Sequence, residues 1–403
     1  MNRARVLAAL GAALLAIAFA WVVPLGESPD ELAHLRYSQE LATGRLPPPW
    51  KGEADTYEAH QPPFGYLLPA LVLAASGGVE LAPTANPRFD FHAPGSRAFL
   101  PPFAGPRDRL VLRLARMTQA LWAALTVWAG LTLAGGRPGA LPFLLAPQLL
   151  FVCGAVNNDA ALVALATCAL LALSRFSSTG EHPIGAGLLV SAALFTKGSA
   201  LLLGVPVLVA AILAPGAPAA RPAPAVPLAA RWRPAPRTRL LAVAALGFGA
   251  WIGLSLVRFG SFLPPAPTAS HIATVRELVG EPRWLGTLFR SFWADFGWLN
   301  TPLPWPFYLW FAVLSVAVAL GLARSRAPGN LVLASALMAN LGFVLAYLLR
   351  IDMQPQGRYL LPSLGAIASF GSAALPTRLQ PLLTSFAVFV ALASLATVIV
   401  AYS

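Results

Sequence analysis

Charge is scarce in this sequence. Only 11% of its 403 residues are Asp, Glu, Lys or Arg, whereas a soluble globular domain carries roughly a quarter. With 57% apolar residues and positive mean hydropathy, an ordinary soluble domain is excluded and a bilayer protein is expected. Cysteine is nearly absent too. Cys153 and Cys168 both lie inside apolar runs, which excludes a disulfide framework and leaves the redox compartment open. The sequence has no HExxH, no Cys/His cluster and no D-x-D motif, so neither a cofactor nor a bound divalent metal is expected, although a metal is not excluded. The net charge of +12 is not that of a nucleic-acid binder, because the arginines come in small groups between apolar runs without interleaved aromatics.

Those apolar runs dominate the chain. About eleven are long enough, or nearly so, to cross a core of ~30 Å. They occupy roughly 5–25, 109–134, 139–156, 159–175, 184–197, 199–214, 240–257, 305–323, 330–349, 360–375 and 381–401. The fifth and sixth are separated by "FTKGS" at 195–199, where a turn spares Lys197 the ~3 kcal/mol that a lysine costs at mid-membrane. Arg3, Arg5, the apolar stretch Val6 to Val23 and "AFA" at 18–20 have the outline of a secretory signal. That stretch exceeds the usual ~7–15 residue signal core, so a retained first span is expected. Residues 62–81 are span-like in hydropathy, but Pro62, Pro63, Pro69 and Gly77–Gly78 interrupt them, and they read as a juxtamembrane or re-entrant helix. "GAWIG" at 249–253 is a small-xxx-small pattern expected to serve helix packing.

Basic residues in short loops mark the cytoplasmic side. With the N-terminus inside, alternate loops carry Arg137, Arg175, then Arg221, Arg231, Arg233, Arg237 and Arg239, then Arg324 and Arg326, and finally Arg378. One integral membrane domain over 1–403 is expected, with a first extracytoplasmic loop at 26–108, a Pro/Ala/Arg-rich cytoplasmic connector at 215–239 and a second extracytoplasmic loop at 258–304.

The outer face collects the unusual polar residues: "ESPDELAH" at 27–34, "YEAHQPP" at 57–63, "NND" at 157–159, "TKG" at 196–198, "FWADFGWLNTPLP" at 292–304 and "QPQGRYLLP" at 354–362. Ser28 with Glu31 fits a capping box and Pro29 the first helical position. A helix over 28–43, ended by Gly44, would place Asp30, His34 and Tyr37 on one face. One of Asn157, Asn158 and Asp159 is expected to cap the helix that follows. Trp298 and its neighbours read first as an interfacial belt, and Asp295 as part of a loop packed over the site.

The order of these motifs resembles the GT-C superfamily of membrane glycosyltransferases. "EAHQPPFGYLLPAL" and "LFTKGSALL" look like the front half of protein O-mannosyltransferases and lipid A aminoarabinose transferases, while "FGWLNTPLP" and "QGRYLLP" look like a bacterial multi-spanning branch. The resemblance implies an all-α polytopic fold in the bacterial inner membrane, with the active site outside. It implies transfer of a sugar from a polyprenyl-phosphate carrier to a hydroxyl of a lipid, glycan or protein acceptor. The residue matching the family's base is Asp30, with Glu31 beside it at the reacting centre, and Lys197 matches a carrier-phosphate ligand. Gln61 stands where the aminoarabinose enzymes have a lysine before the two prolines, so Arg358 or His60 would replace that contact. His34, Tyr37, Glu58, Asn157, Asn158, Asp159 and Gln356 are candidate substrate contacts.

The chemistry supports this set on its own terms. A sugar hydroxyl is a poor nucleophile and needs a carboxylate to take its proton, and a departing phosphate needs fixed cations. One carboxylate suffices for a single displacement, which inverts the anomeric centre. The competing class is a flippase or transporter, which would place ionisable groups near the bilayer midplane. Here the centres of the spans are almost free of charge, with Asn340 the main polar exception.

Overall fold

The computed structural model describes residues 3–50, 56–215, 235–262 and 272–403. Most of the 215–239 connector, with Arg221, Arg231 and Arg233, and residues 263–271 of the second loop lie outside the described residues. The molecule is helical, with two antiparallel ladders of two residues per strand, Thr84–Ala85 with Phe99–Leu100 and Asp295–Phe296 with Thr301–Pro302.

Among the described residues, seven helices are long and apolar enough to cross a membrane: Arg3–Val22, Pro106–Leu133, Asp159–Thr179, Pro236–Phe259, Pro306–Arg324, Pro328–Arg350 and Thr377–Tyr402. The other four expected segments are shorter or broken. At and within 139–156, Pro138 just before the run and Pro142 and Pro147 inside it each lack the N–H that would continue a preceding helix, and the stretch divides into Pro138–Ala140, Leu141–Leu144 and Pro147–Val152. The fifth and sixth segments are separate helices, Pro183–Leu194 and Gly198–Leu213, parted at Thr196–Lys197 as "FTKGS" suggests. The tenth is a tight turn of helix over Gly357–Ser363 followed by Leu364–Ala374. Phe64–Tyr66 and Leu67–Ala75 together hold twelve residues, about 18 Å of rise, too short to span.

Small residues set the closest helix approaches, but not at "GAWIG". A Cβ on Gly249 or Gly253 would meet nothing within 4 Å, whereas one on Gly247 would come within 2.1 Å of Ser191 Oγ and one on Gly187 within 2.8 Å of Val243. Aromatic rings fill the centre: Trp293 stacks on Phe311 at 4.8 Å, and Phe19 meets Phe296 at 5.8 Å.

At the loop end of the first helix the capping box does not form. The helix runs Glu31–Ala42, Asp30 is its N-cap residue with φ 66° and makes no side-chain cap, and Pro29 lies outside. Glu31 instead turns back. It accepts from the backbone N–H groups of Gly26 (2.9 Å) and Val156 (3.2 Å) and from Arg116, whose Nε and Nη2 stand 2.6 and 2.5 Å from its two oxygens. Arg116 also donates to the carbonyls of Ala20, Val23 and Pro24. This enclosed pair joins the first span, the first loop, the Pro106–Met117 helix and the "NND" turn. Gly44, with φ 78°, ends the helix as expected.

Candidate functional site

Four charged side chains converge where the first loop meets the ends of three buried elements. Asp30, in the left-handed region that Asp tolerates better than most residues, accepts from Tyr57 Oη at 2.7 Å and from Arg358 Nη2 at 2.5 Å. The other guanidinium nitrogen of Arg358 lies 3.9 Å from Asp159, which accepts from Lys197 Nζ at 2.6 Å. The result is an alternating chain, Asp30–Arg358–Asp159–Lys197, drawn from positions 328 residues apart. Burial pushes the Asp30 carboxyl upward, but the opposing pull of Arg358, with smaller contributions from His34 and Tyr57, holds it well below the usual range.

Local structure explains each placement. Asp159 opens the Asp159–Thr179 helix; Asn158, its N-cap residue, makes no side-chain cap, and Asn157 Oδ1 from one residue earlier accepts from Ala160 N at 2.9 Å. Lys197 sits in the turn between two short helices. Arg358 leaves a turn pinned where Gly357 N donates to Ser291 Oγ at 2.8 Å; a Cβ on Gly357 would lie 2.0 Å from Phe292 N.

His34 and Tyr37 share the Asp30 side of their helix and are buried. His34 Nδ1 shares a hydrogen bond of 2.9 Å with Tyr66 Oη, and Tyr37 stacks on Tyr66 at 4.0 Å while donating to Gln61 O. Burial lowers the His34 pKa and raises that of Glu58. Glu58 Oε2 is enclosed without a hydrogen-bond partner. Gln61 holds loops together: its Nε2 meets His60 Nε2 at 2.7 Å, and Gly198 N donates to its Oε1 at 3.4 Å. His60 Nδ1 bonds Tyr57 O at 2.8 Å. Both side-chain atoms of Asn158 are buried without partners. Gln356 donates to Gln354 and lines, with Ser28, Gln148, Asn157, Asp159 and Arg358, a crevice of about 10 Å³, room for one water.

Two corrections follow. Glu31 stands apart from Asp30, because its carboxylate is wholly engaged by Arg116 and two backbone N–H groups, so the adjacent acids do different work. Tyr57 and Tyr66 join the cluster without having been singled out; the one signal for Tyr57 was its place beside Glu58. Asp30, His34 and Glu58 offer donor atoms within 4.8 Å of one another, the spacing of a metal site. Asp30 has one oxygen on Tyr57 and the other on the Arg358 cation, so in this arrangement a divalent ion would compete with one of these two donors.

The arrangement of helices is a GT-C-type fold, and the likeness is one of fold. The particular structures it resembles include ArnT of Cupriavidus metallidurans, a lipid A aminoarabinose transferase. The apo form matches with a TM-score of 0.53 at 17% identity over 93% of this chain and 60% of ArnT. The form bound to undecaprenyl phosphate matches at 0.52 and 17% over 92% and 59%. An oligosaccharyltransferase of Archaeoglobus fulgidus, tethered to an acceptor peptide, aligns at 0.44 and 13% over 100% of this chain and 55% of that one. The chain thus spans about 60% of the length of ArnT. No family model and no curated protein sequence matches it.

Proposed function

We propose that the chain is a glycosyltransferase of the bacterial inner membrane that moves a sugar from a polyprenyl-phosphate carrier to an acceptor hydroxyl on the extracytoplasmic face. The acceptor would be a lipid, glycan or protein, and the N-terminus would lie in the cytoplasm. The observation that carries this reading is the Asp30–Arg358–Asp159–Lys197 chain: two cations of phosphate-binding type, each held by a carboxylate, on a fold shared with an undecaprenyl-phosphate-binding protein.

In the resting arrangement each carboxylate occupies the place of a phosphate oxygen on its cation. A carrier phosphate reaching the charged chain would have to widen this crevice, and it draws Lys197 and Arg358 onto its own oxygens. Asp30, released from Arg358, regains proton affinity and becomes an effective base, which it is not while its carboxyl is held so acidic. The acceptor hydroxyl then gives its proton to Asp30 as its oxygen bonds the anomeric carbon. The bond from that carbon to the phosphate oxygen breaks on the opposite face, and the polyprenyl phosphate leaves with its new charge held by Lys197 and Arg358. The anomeric configuration inverts; a product of retained configuration would contradict the single displacement.

The test is purification followed by mass spectrometry of bound lipid. Polyprenyl phosphate should accompany the native protein and be depleted from Lys197→Met and Arg358→Met. Equal recovery from all three would overturn the phosphate assignment. Bound carrier without sugar transfer to any acceptor would favour a flippase.

A further inference from the structure

A second cleft opens at the same end of the molecule, on the far side of the Pro24–Ser28 segment from Asp30. It measures about 300 Å³ and lies between the end of the first helix, the Phe99–Phe103 stretch, the start of the Pro106–Met117 helix and Tyr402 at the end of the last span. Arg97, Arg109 and Arg113 line it against one carboxylate, Glu27. Glu27 is already committed, since its two oxygens accept from Ala98 N and Phe99 N at 2.9 and 3.2 Å. Arg97 donates to Tyr402 O, and Arg113 donates to Trp21 O with its guanidinium 5.0 Å over the Trp21 ring. Both are held by neutral partners. Arg109 is exposed, and no described carboxylate forms an ion pair with it. The other two arginines of this helix, Arg107 and Arg116, pair with Asp108 and Glu31, so the cleft keeps an uncompensated positive charge.

The surroundings say where a ligand would come from. Leu110 and Leu114, next to the two arginines on the same helix, are 51% and 43% exposed. On the first helix Leu7, Leu10, Leu14 and Trp21 form an exposed stripe that ends at the cleft. Arginines beside exposed leucines, with a tryptophan and a tyrosine at the same level, are the make-up of a surface at the headgroup layer of a bilayer. A free anion would need only the arginines. A lipid would use both the arginines and the apolar stripe.

We infer that this cleft binds the phosphate of an anionic membrane phospholipid, with its acyl chains lying along the exposed face of the first helix. Arg109 and Arg113 supply charge-assisted hydrogen bonds to the phosphate, and the aromatic rings frame the glycerol level. The site is separate from the Asp30 cluster and does not depend on sugar transfer.

The test uses the full chain in an uncharged detergent, titrated with dioctanoyl-phosphatidylglycerol, dioctanoyl-phosphatidylcholine or inorganic phosphate and read by native mass spectrometry. The native protein and Arg107→Gln, whose arginine pairs with Asp108 outside the cleft, should bind the phosphatidylglycerol alike. Arg109→Gln should weaken it roughly tenfold, the loss of about one charge-assisted hydrogen bond, while leaving the melting temperature unchanged because Arg109 is exposed. Arg113→Gln should weaken it similarly, and Arg109→Lys should keep part of the affinity. Equal binding of phosphatidylcholine would overturn the charge requirement. Binding of inorganic phosphate as tight as that of the lipid would overturn the lipid assignment. Unchanged binding by folded Arg109→Gln would overturn the site.

Discussion

Asp30 and Glu31 are neighbours in sequence and opposites in environment. Asp30 faces two donors it can exchange, whereas Glu31 is fully enclosed with Arg116. The difference was illegible in "ESPDELAH", because a capping box is a local pattern and the partner that captures Glu31 lies 85 residues away. Lys197 and Arg358 were legible, since isolated cations amid apolar sequence need a reason to be there. Lys197→Met should lower the rate of transfer about 10²-fold, the usual loss for one donor to a developing anion, measured as initial rate at saturating carrier. Asp295 provides a pH test. Burial, only partly offset by Arg290 at 3.8 Å, raises its carboxyl from 3.8 to about 6. A raised pKa means that the folded state holds the proton more tightly, so native stability falls as pH rises through that range. Asp295→Asn should melt like the native protein near pH 4 and above it near pH 7, by about 3 kcal/mol at most. A gap independent of pH would contradict the assignment.

Turns and short helices position Asp30, Lys197 and Arg358, while Asp159 opens a long span. The turn at Thr196–Lys197 was legible because a lysine does not belong in the middle of a span. The breaks in 139–156 follow from its prolines, but hydropathy alone hid them. Gly357→Ala would force the Arg358 turn away from the Arg283–Trp293 helix. It should lose transfer and about 1–3 kcal/mol of stability, the usual range for overpacking, both visible in a melting curve and an activity assay. The pair between Glu31 and Arg116 ties loop to span. Arg116→Met leaves a buried carboxylate unpaired and should destabilise by about 3–5 kcal/mol, whereas the double change Glu31→Gln with Arg116→Met should recover much of that loss.

Over the whole molecule, the class of fold was legible from apolar runs, and the number of long spans was not: among the described residues, the eleven runs became seven long helices and several short ones. Composition reports what lipid tolerates, and helix length depends on where prolines and polar turns fall. Sidedness is a proposal that labelling can test. Cysteines placed at Glu40 and at Arg326 should react with an impermeant thiol reagent from opposite sides of the membrane. The most direct test of the central claim is transfer of labelled sugar from a polyprenyl-phosphate donor by the purified protein, native against Asp30→Asn. The account predicts transfer by the native protein and a loss of about 10²- to 10⁴-fold in the variant, as for removal of a general base. Full transfer by Asp30→Asn would contradict it.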